Sequence, residues 1–204
     1  MSVLSSSEIT ELVCTRLNHD LIGNIGSMTN ALELLDEDPN DLADVQPILM
    51  LGAKTLVARL KFFRLAFGLK NAAPKNIDEM KSIAEKYLET LGTTHKKLNI
   101  MWQINNLSLY KIIYLGLMAL ADVLIKDGEF EVVETGDGLH LTVRSDYALS
   151  AEKLKNLKHA LDGHIAEDNP ALLAPVAYLQ SLLGEVGVNV GLDATEKEAV
   201  LRLK

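Results

Sequence analysis

The sequence contains a single cysteine, Cys14, among 204 residues. One thiol can form neither an intrachain disulfide nor a cysteine-based zinc site, so both are excluded. Aromatic residues are also scarce, with one Trp, five Tyr and four Phe, whereas aliphatic residues are plentiful. This composition favours aliphatic packing of helices over an aromatic-rich β-sandwich.

The chain has no excess of positive charge. Twenty Lys and Arg residues stand against 28 Asp and Glu residues, which gives a formal net charge of −8. Because binding to duplex DNA depends on neutralising phosphates, a broad DNA-binding surface is not expected. The apolar fraction of 48% is nevertheless enough for a packed core.

The sequence also has no apolar stretch long enough to span a bilayer. The longest, residues 112–125, is interrupted by Gly116 and Asp122 and is shorter than the roughly 20 residues that a spanning helix needs. The first residues have neither the basic start nor the apolar centre of a signal peptide. These features predict a cytoplasmic protein.

Apolar residues recur with helical spacing in the first third of the chain. Steps of three and four over residues 13–35 predict an amphipathic helix, which a polar turn at residues 36–41 ends. A second helix is predicted over residues 41–67, where Pro47 marks either a kink or the true start. The apolar surface of such a hairpin is too wide for one partner helix, so we expect a dimeric four-helix bundle.

The pattern changes after Pro74. Helices are predicted over residues 77–91, 109–126, 150–161 and 170–183, and strands over residues 98–104, 129–134, 139–144, 188–192 and 199–203. Because the strands come mostly in hairpins, the expected class is α+β, with helices packed on one face of a sheet. The predicted division is a helical hairpin over residues 1–72 and a two-layer α/β sandwich over residues 73–204.

The residues with the most distinctive chemistry are His19 and Asp20 in the first helix. At about 100° per residue, His19 lies about 165° from the centre of the apolar stripe and therefore points to solvent. Gly23 and Gly26 lie on the same side, although a glycine inside a helix costs about 1 kcal/mol relative to alanine. They would let another protein approach the imidazole closely. A plain surface histidine beside inconsequential glycines is the alternative that these residues leave open.

Two segments carry a family resemblance. His-Asp-Leu-Ile at residues 19–22, followed by Asn-Ala-Leu-Glu-Leu-Leu at residues 30–35, resembles the phosphoacceptor box of histidine phosphotransfer proteins. With Arg-Leu-Lys-Phe-Phe-Arg-Leu-Ala-Phe-Gly at residues 59–68, the pattern is similar to the ChpT family, more faintly so over the α/β half. The resemblance implies a homodimer with a kinase-like helical bundle, followed by a domain shaped like a histidine kinase ATP-binding domain that no longer binds ATP.

The resemblance also implies roles for individual residues. His19 would accept a phosphoryl group from the receiver domain of a hybrid kinase and pass it to the aspartate of a response regulator. Asp20 would orient the imidazole or support its charge, unless it is merely a solvated helix acid. Magnesium is expected on the partner receiver, and no cofactor or metal on this chain. Receiver docking would involve Thr15, Arg16, Ile22, Gly23, Gly26, Arg59 and Arg64.

The sequence has no recognisable nucleotide-binding box. No Asn occurs between Asn106 and Asn156, so the helix predicted over residues 109–126 lacks the asparagine with which a histidine kinase holds magnesium. The Gly-Asp-Gly of residues 136–138 falls in a predicted hairpin turn, and no Walker-type loop is present. The other histidines have no metal-ligand spacing and are read as structural or surface residues: His95, His140, His159 and His164.

One departure from the resembled pattern concerns the fifth residue after His19. That pattern usually has a proline there, where this chain has Asn24. Without a proline the helix has no need to kink. We therefore expect the change to affect docking efficiency and partner range more than the role of His19.

Charge is unevenly distributed along the predicted second helix. No acidic residue occurs between Asp44 and Asp78. A basic strip here would steer acidic receiver domains, unless it is an ordinary solvated helix face. It comprises Lys54, Arg59, Lys61, Arg64, Lys70 and Lys75.

Two other functions remain open, namely a non-catalytic dimeric adaptor that docks on receivers and an active ATP-dependent histidine kinase.

Overall fold

The computed structural model describes residues 4–68, 73–92, 98–164 and 170–204. Its first two helices are α1 (Ser6–Glu37) and α2 (Leu42–Ala66), joined by the short 3₁₀ turn Pro39–Asp41 into the predicted hairpin. Ser5 starts α1 with a capping box, because its hydroxyl accepts from the Glu8 amide while the Glu8 carboxylate accepts from the Ser5 amide.

Pro47 lies inside α2 and does not mark its start. The interpretation that the helix begins there is wrong, because α2 already begins at Leu42. Proline has no amide hydrogen, so one hydrogen bond of the helix is missing at this position.

The rest of the chain alternates helices with strands. The helices are α3 (Ile77–Leu91), α4 (Tyr110–Val123), α5 (Ala151–Leu161) and α6 (Ala174–Val186). The strands are β1 (Leu98–Gln103), β2 (Gly128–Thr135), β3 (Gly138–Arg144), β4 (Val190–Ala194) and β5 (Glu198–Leu203). The predicted α+β class is confirmed.

The five strands form one sheet in the order β1-β2-β3-β5-β4. β1 and β2 are parallel, with Ile100 opposite Phe130, and the other neighbours are antiparallel. A parallel pair needs a crossover connection, which α4 provides. Because Phe130 and Val132 on β2 are buried while Glu129 is exposed, one face of the sheet packs on the helices.

The predicted hairpin turn around residues 136–138 is confirmed. Thr135 pairs with Gly138 across the turn, and Gly138 has a φ of +138°, which favours glycine. A Cβ at this position would lie 2.0 Å from the carbonyl oxygen of Leu203. The turn therefore accounts for this glycine.

Two helices, α4 and α6, have boundaries that differ from the prediction. α4 is shorter at both ends, because residues 107–109 form a 3₁₀ turn and Leu124 has extended backbone. α6 begins at Ala174 rather than Pro170, because Pro170–Leu173 also forms a 3₁₀ turn. The predicted domain boundary at residue 72 lies outside the described residues.

Three aromatic rings join the hairpin to the C-terminal half. The rings of Phe62 and Tyr87 stack with their centroids 3.8 Å apart, and the centroid of Tyr114 lies 4.6 Å from that of Phe62. All three side chains are fully buried. Because α2, α3 and α4 each contribute one ring, the end of the hairpin is packed into the core of the other half.

The hairpin also carries exposed large apolar side chains on both of its helices, in contrast to the buried aromatic cluster. In the described part of the chain, no helix is both long enough and apolar enough to cross a membrane. These exposed apolar side chains are Ile22, Ile25, Leu32, Leu34, Leu42, Ile48, Met50, Leu51, Val57 and Leu60.

Candidate functional site

His19 lies inside α1 with its side chain 68% exposed, which confirms the predicted orientation toward solvent. Its Nδ1 atom lies 3.2 Å from Oδ1 of Asp20. A neutral imidazole has one N–H and one lone pair. If Nδ1–H donates to the carboxylate, the lone pair is on Nε2. Nε2 is then the nucleophilic nitrogen, while Nδ1 is held by its hydrogen bond to Asp20.

Gly23 and Gly26 leave open space on the exposed side of α1. A Cβ added at either position would have no atom within 4 Å among its neighbours in the described part of the chain. Both glycines lie on the face of the helix that carries His19. The clearance that the sequence predicts beside the imidazole is therefore present.

Asp20 belongs to a chain of charged side chains beneath the imidazole. Its Oδ2 accepts a hydrogen bond from Nε of Arg16 at 2.7 Å. The two terminal nitrogens of the same guanidinium donate to the carboxylate of Asp122 at 2.6 and 3.1 Å. Arg16 is 3% exposed, and the two acids are 12% and 18% exposed. The pairs join α1 to α4 across 106 residues of sequence.

Burial and ion pairing have opposite effects on the pKa values of Arg16 and Asp122. Although burial alone would lower it, the carboxylate of Asp122 raises the pKa of Arg16 well above its usual value. Burial raises the pKa of the Asp122 carboxyl, and the Arg16 guanidinium counteracts part of that rise. Burial also raises the pKa of Tyr87, whose ring lies close to both charges. Arg16 is therefore a permanent cation that two carboxylates compensate.

Arg59 on α2 ties the same turn of α1 from another side. Its Nη1 donates to the main-chain carbonyl of Asp20. Its Nε donates to Oγ1 of Thr90 at 3.2 Å, and its Nη2 donates to the Thr90 carbonyl at 3.2 Å. Helices α1, α2 and α3 are thus connected at the turn that carries His19.

The predicted docking residues are not all on the surface. A docking contact by Arg16 is wrong, because its guanidinium is buried and bound to two carboxylates. Arg59 is half-buried, and its donors bind groups of this chain. Thr15, Ile22 and Arg64 are exposed, as a receiver contact requires, and their docking role stays a prediction.

Asp122, Tyr87 and Thr90 were not predicted as parts of the site. In the sequence, Asp122 is visible only as an interruption of the apolar stretch 112–125. A lone acid in such a helix is a signal, since acids are rarely buried without a partner. The spacing of Arg16 and Asp20 likewise indicates an i,i+4 ion pair.

The remaining predicted features fall partly outside the described residues. His95 and Lys70 lie in the undescribed ranges 93–97 and 69–72. Other members of the basic strip, namely Lys54, Lys61 and Lys75, are exposed. Within the described ranges, no group of three or more His, Cys, Asp or Glu side chains could hold a metal ion.

Comparison with known proteins gives one partial match in sequence. No family model matches the chain. Protein phosphotransferase ChpT from Brucella abortus (strain 2308) is 36% identical over 86 residues. The match covers 41% of this chain and 41% of that protein, so it spans less than half of the relative's length.

Comparison with solved structures extends over the whole chain. A bacterial phosphotransferase has a TM-score of 0.77 at 22% identity, covering 100% of this chain and 98% of that one. The histidine kinase domain of a blue-light activated kinase from Erythrobacter litoralis has a TM-score of only 0.44 at 11% identity, over 97% of this chain and 93% of that one, and is too distant to argue from. The chain is thus similar to ChpT over 86 residues, and over its whole length it shares the fold of a bacterial phosphotransferase.

Proposed function

We propose that this protein is a histidine phosphotransferase of a two-component phosphorelay. His19 takes a phosphoryl group from the receiver aspartate of a hybrid kinase and passes it to the aspartate of a response regulator. The observation that carries the proposal is the exposed imidazole whose Nδ1 lies against the Asp20 carboxylate. The Brucella abortus relative is a protein phosphotransferase, which supports phosphoryl transfer as the class of reaction.

The proposed reaction requires one nucleophilic atom from this chain. The Nε2 lone pair of His19 attacks the phosphorus in line with the aspartyl oxygen. An N–P bond forms as the P–O bond breaks, and the receiver carboxylate leaves with the bonding electron pair. Positive charge develops on the imidazole, and the Asp20 carboxylate, 3.2 Å from Nδ1, stabilises it. Magnesium held by the receiver neutralises the phosphoryl oxygens.

Autophosphorylation from ATP is not part of the proposed activity. The stretch between Asn106 and Asn156 has no asparagine to hold magnesium, and Gly138 is accounted for by its turn. We expect no change in melting temperature when Mg-ATP is added to the full chain. A clear upward shift would favour the ATP-dependent kinase instead.

A homodimer is the second element of the proposal. Exposed apolar side chains on both helices of the hairpin, Leu51 and Val57 among them, support pairing with a second hairpin in a four-helix bundle. We expect Leu51→Glu to shift the protein toward the monomer in analytical ultracentrifugation. A wild-type protein that sediments as a monomer at high concentration would contradict the dimer.

A transfer assay with a phosphorylated receiver domain tests the relay. The wild-type chain should acquire an acid-labile, base-stable label, and His19→Gln should acquire none. His159→Gln is the matched control, since His159 is an exposed histidine on α5 and should not affect labelling. Equal labelling of His19→Gln and wild type would refute the relay. Receiver binding without any label on the wild type would indicate the non-catalytic adaptor.

A further inference from the structure

An uninterrupted series of polar contacts runs from the C-terminal half to His19. It begins with the bidentate pair between Asp122 and Arg16, at 2.6 and 3.1 Å. It continues through the 2.7 Å bond from Arg16 to Asp20 and ends with the 3.2 Å contact from Asp20 to the imidazole. The series thus joins α4, which lies in the α/β half, to the exposed face of α1.

We propose that Asp122 and Arg16 are positioning residues for His19. They hold the Asp20 carboxylate in the orientation that keeps Nδ1 protonated and leaves Nε2 free. The inference rests on the proposed function, because the orientation matters only if Nε2 is the nucleophile. It adds that the α/β half helps to set the reactive state of the histidine.

The two oxygens of Asp20 have different partners. Oδ2 is bound by Nε of Arg16, and Oδ1 faces the imidazole of His19. Because a carboxylate is planar, fixing Oδ2 also fixes the direction of Oδ1. An exposed imidazole would otherwise turn about its side-chain bonds between several rotamers. The partner of one ring nitrogen determines which tautomer is populated.

Asp122 decides how Arg16 meets Asp20. A guanidinium normally binds a carboxylate through two parallel N–H bonds. Here one N–H of each terminal nitrogen of Arg16 is bound by Asp122, which turns that edge of the guanidinium toward α4, and Nε–H is the donor that meets Asp20. Without the Asp122 carboxylate, Arg16 would turn its fork onto Asp20 and draw Oδ1 away from the imidazole.

Among the other polar groups at this cluster, namely Arg59, Tyr87 and Lys153, none forms a hydrogen bond with the Asp20 carboxylate. Arg59 binds the main-chain carbonyl of Asp20, so it fixes the helix turn but not the side chain. The hydroxyl of Tyr87 has no hydrogen-bond partner among the described residues. Lys153 on α5 lies near Asp122, at the far end of the series. Arg16 is therefore the group through which α4 acts on His19.

Nitrogen-15 NMR of histidine-labelled full chain tests the inference without any phosphotransfer. The His19 signal is identified by its loss in His19→Gln. In the wild type, we expect the neutral ring to be mainly the Nδ1–H tautomer. In Asp122→Asn, which keeps the side-chain size but removes the charge, we expect the Nε2–H tautomer to gain. Asp162→Asn, at an exposed position that ends α5, is the control and should change nothing.

The transfer assay gives the second readout. We expect Asp122→Asn to lower kcat by about ten- to a hundredfold, by analogy with the effect of losing the partner that orients a metal-binding histidine. The KM for the receiver should not change, because both oxygens of Asp122 are bound by Arg16 within the chain. Arg16→Lys keeps the charge without the fork and should have the same two effects. The double variant should be no worse than either single variant, since both act through one series.

The outcomes separate the two proposals. An unchanged His19 tautomer in both Asp122→Asn and Arg16→Lys would overturn the positioning role, even if transfer through His19 is normal. If His19→Gln is labelled like the wild type, the relay fails, whereas the tautomer measurement is still valid. Circular dichroism shows whether Asp122→Asn folds, and Arg16→Lys decides the question if it does not.

Discussion

The guanidinium of Arg59 on α2 donates a hydrogen bond to the main-chain carbonyl of Asp20 on α1. In a regular helix, the amide of Asn24 also donates to this carbonyl, because it lies four residues further on. The resembled phosphotransfer pattern usually has proline at that position, and proline has no amide hydrogen. Arg59 therefore satisfies the carbonyl whether or not the helix itself supplies a donor.

We predict that Asn24→Pro is tolerated better than proline elsewhere inside α1. The Asp20 carbonyl keeps its bond from Arg59, and the buried Nδ2 of Asn24, unpaired among the described residues, is removed. The loss of unfolding free energy in urea should be well below the roughly 3 kcal/mol usual for proline in a helix interior. Asn18→Pro, at an exposed position of α1, should show the full loss. Equal losses would mean that Arg59 does not compensate.

Removal of the Arg59 side chain tests its contribution directly. Arg59→Met keeps the apolar stem but removes donors to Asp20 and Thr90. Hydrogen bonds to charged groups contribute about 1.5–3 kcal/mol, so we expect a destabilisation of about 2 kcal/mol in urea. Arg64→Met, at an exposed position of the same helix, should change stability by less than about 0.5 kcal/mol. A similar small effect for both variants would show that the Arg59 contacts are not stabilising.

Two buried tyrosines provide a matched pair. The hydroxyl of Tyr114 donates to the Met80 carbonyl at 2.9 Å, whereas that of Tyr87 has no partner in the described part of the chain. We expect Tyr114→Phe to lower the free energy of unfolding by about 1 kcal/mol. Tyr87→Phe should leave it unchanged or raise it, because an unpaired buried hydroxyl is lost. Urea denaturation near neutral pH measures both, and a large loss for Tyr87→Phe would reveal a missing partner.

The same tyrosines predict a dependence of stability on alkaline pH. Burial raises the pKa of Tyr87 and of Tyr114 above their usual value. Above about pH 10, the unfolded chain loses these protons while the folded chain keeps them, so stability falls as pH rises. Below that pH both states are protonated and these groups contribute no slope. Tyr87→Phe should therefore show a shallower decline than wild type between about pH 9 and 11. An equally steep decline would contradict the assignment.

Features that depend on local periodicity could be predicted from the sequence. The spacing of apolar residues predicts α3 over residues 77–91, and the structure has the same bounds because Asn76 caps the helix and Gly92 ends it. The exposure of His19 also follows from helical periodicity, since one turn repeats every 3.6 residues or so. Such inferences need only neighbours along the chain.

The ion pairs beneath His19 could not be predicted in this way. Arg16 and Asp20 have the i,i+4 spacing that is typical of an ion pair on a helix surface. The burial of Arg16 depends instead on Asp122, 106 residues away. That contact requires knowledge of how α4 packs beside α1. Periodicity specifies which face of each helix is apolar but not which helices meet. The half of the site that lies below the surface is therefore a product of tertiary packing.

Substitutions of Gly23 and Gly26 can distinguish a receiver-docking face around His19 from a histidine that is merely exposed. Alanine stabilises a helix interior by about 1 kcal/mol relative to glycine, and neither position has an atom within 4 Å of a new Cβ in the described part of the chain. We therefore expect Gly23→Ala and Gly26→Ala to raise the free energy of unfolding. If a receiver approaches this face closely, the same methyl groups should raise the KM for the receiver severalfold.

Gly184→Ala is the matched control for this prediction. Gly184 also lies inside a helix, α6, with no atom within 4 Å of an added Cβ among the described residues, so alanine should stabilise it comparably. It should leave transfer unchanged, because α6 does not carry His19. A gain in stability with a loss of transfer cannot result from misfolding, so opposite signs at Gly23 would indicate a docking face. A gain in stability with unaltered transfer at both Gly23 and Gly26 would mean that receivers do not need the open space beside His19.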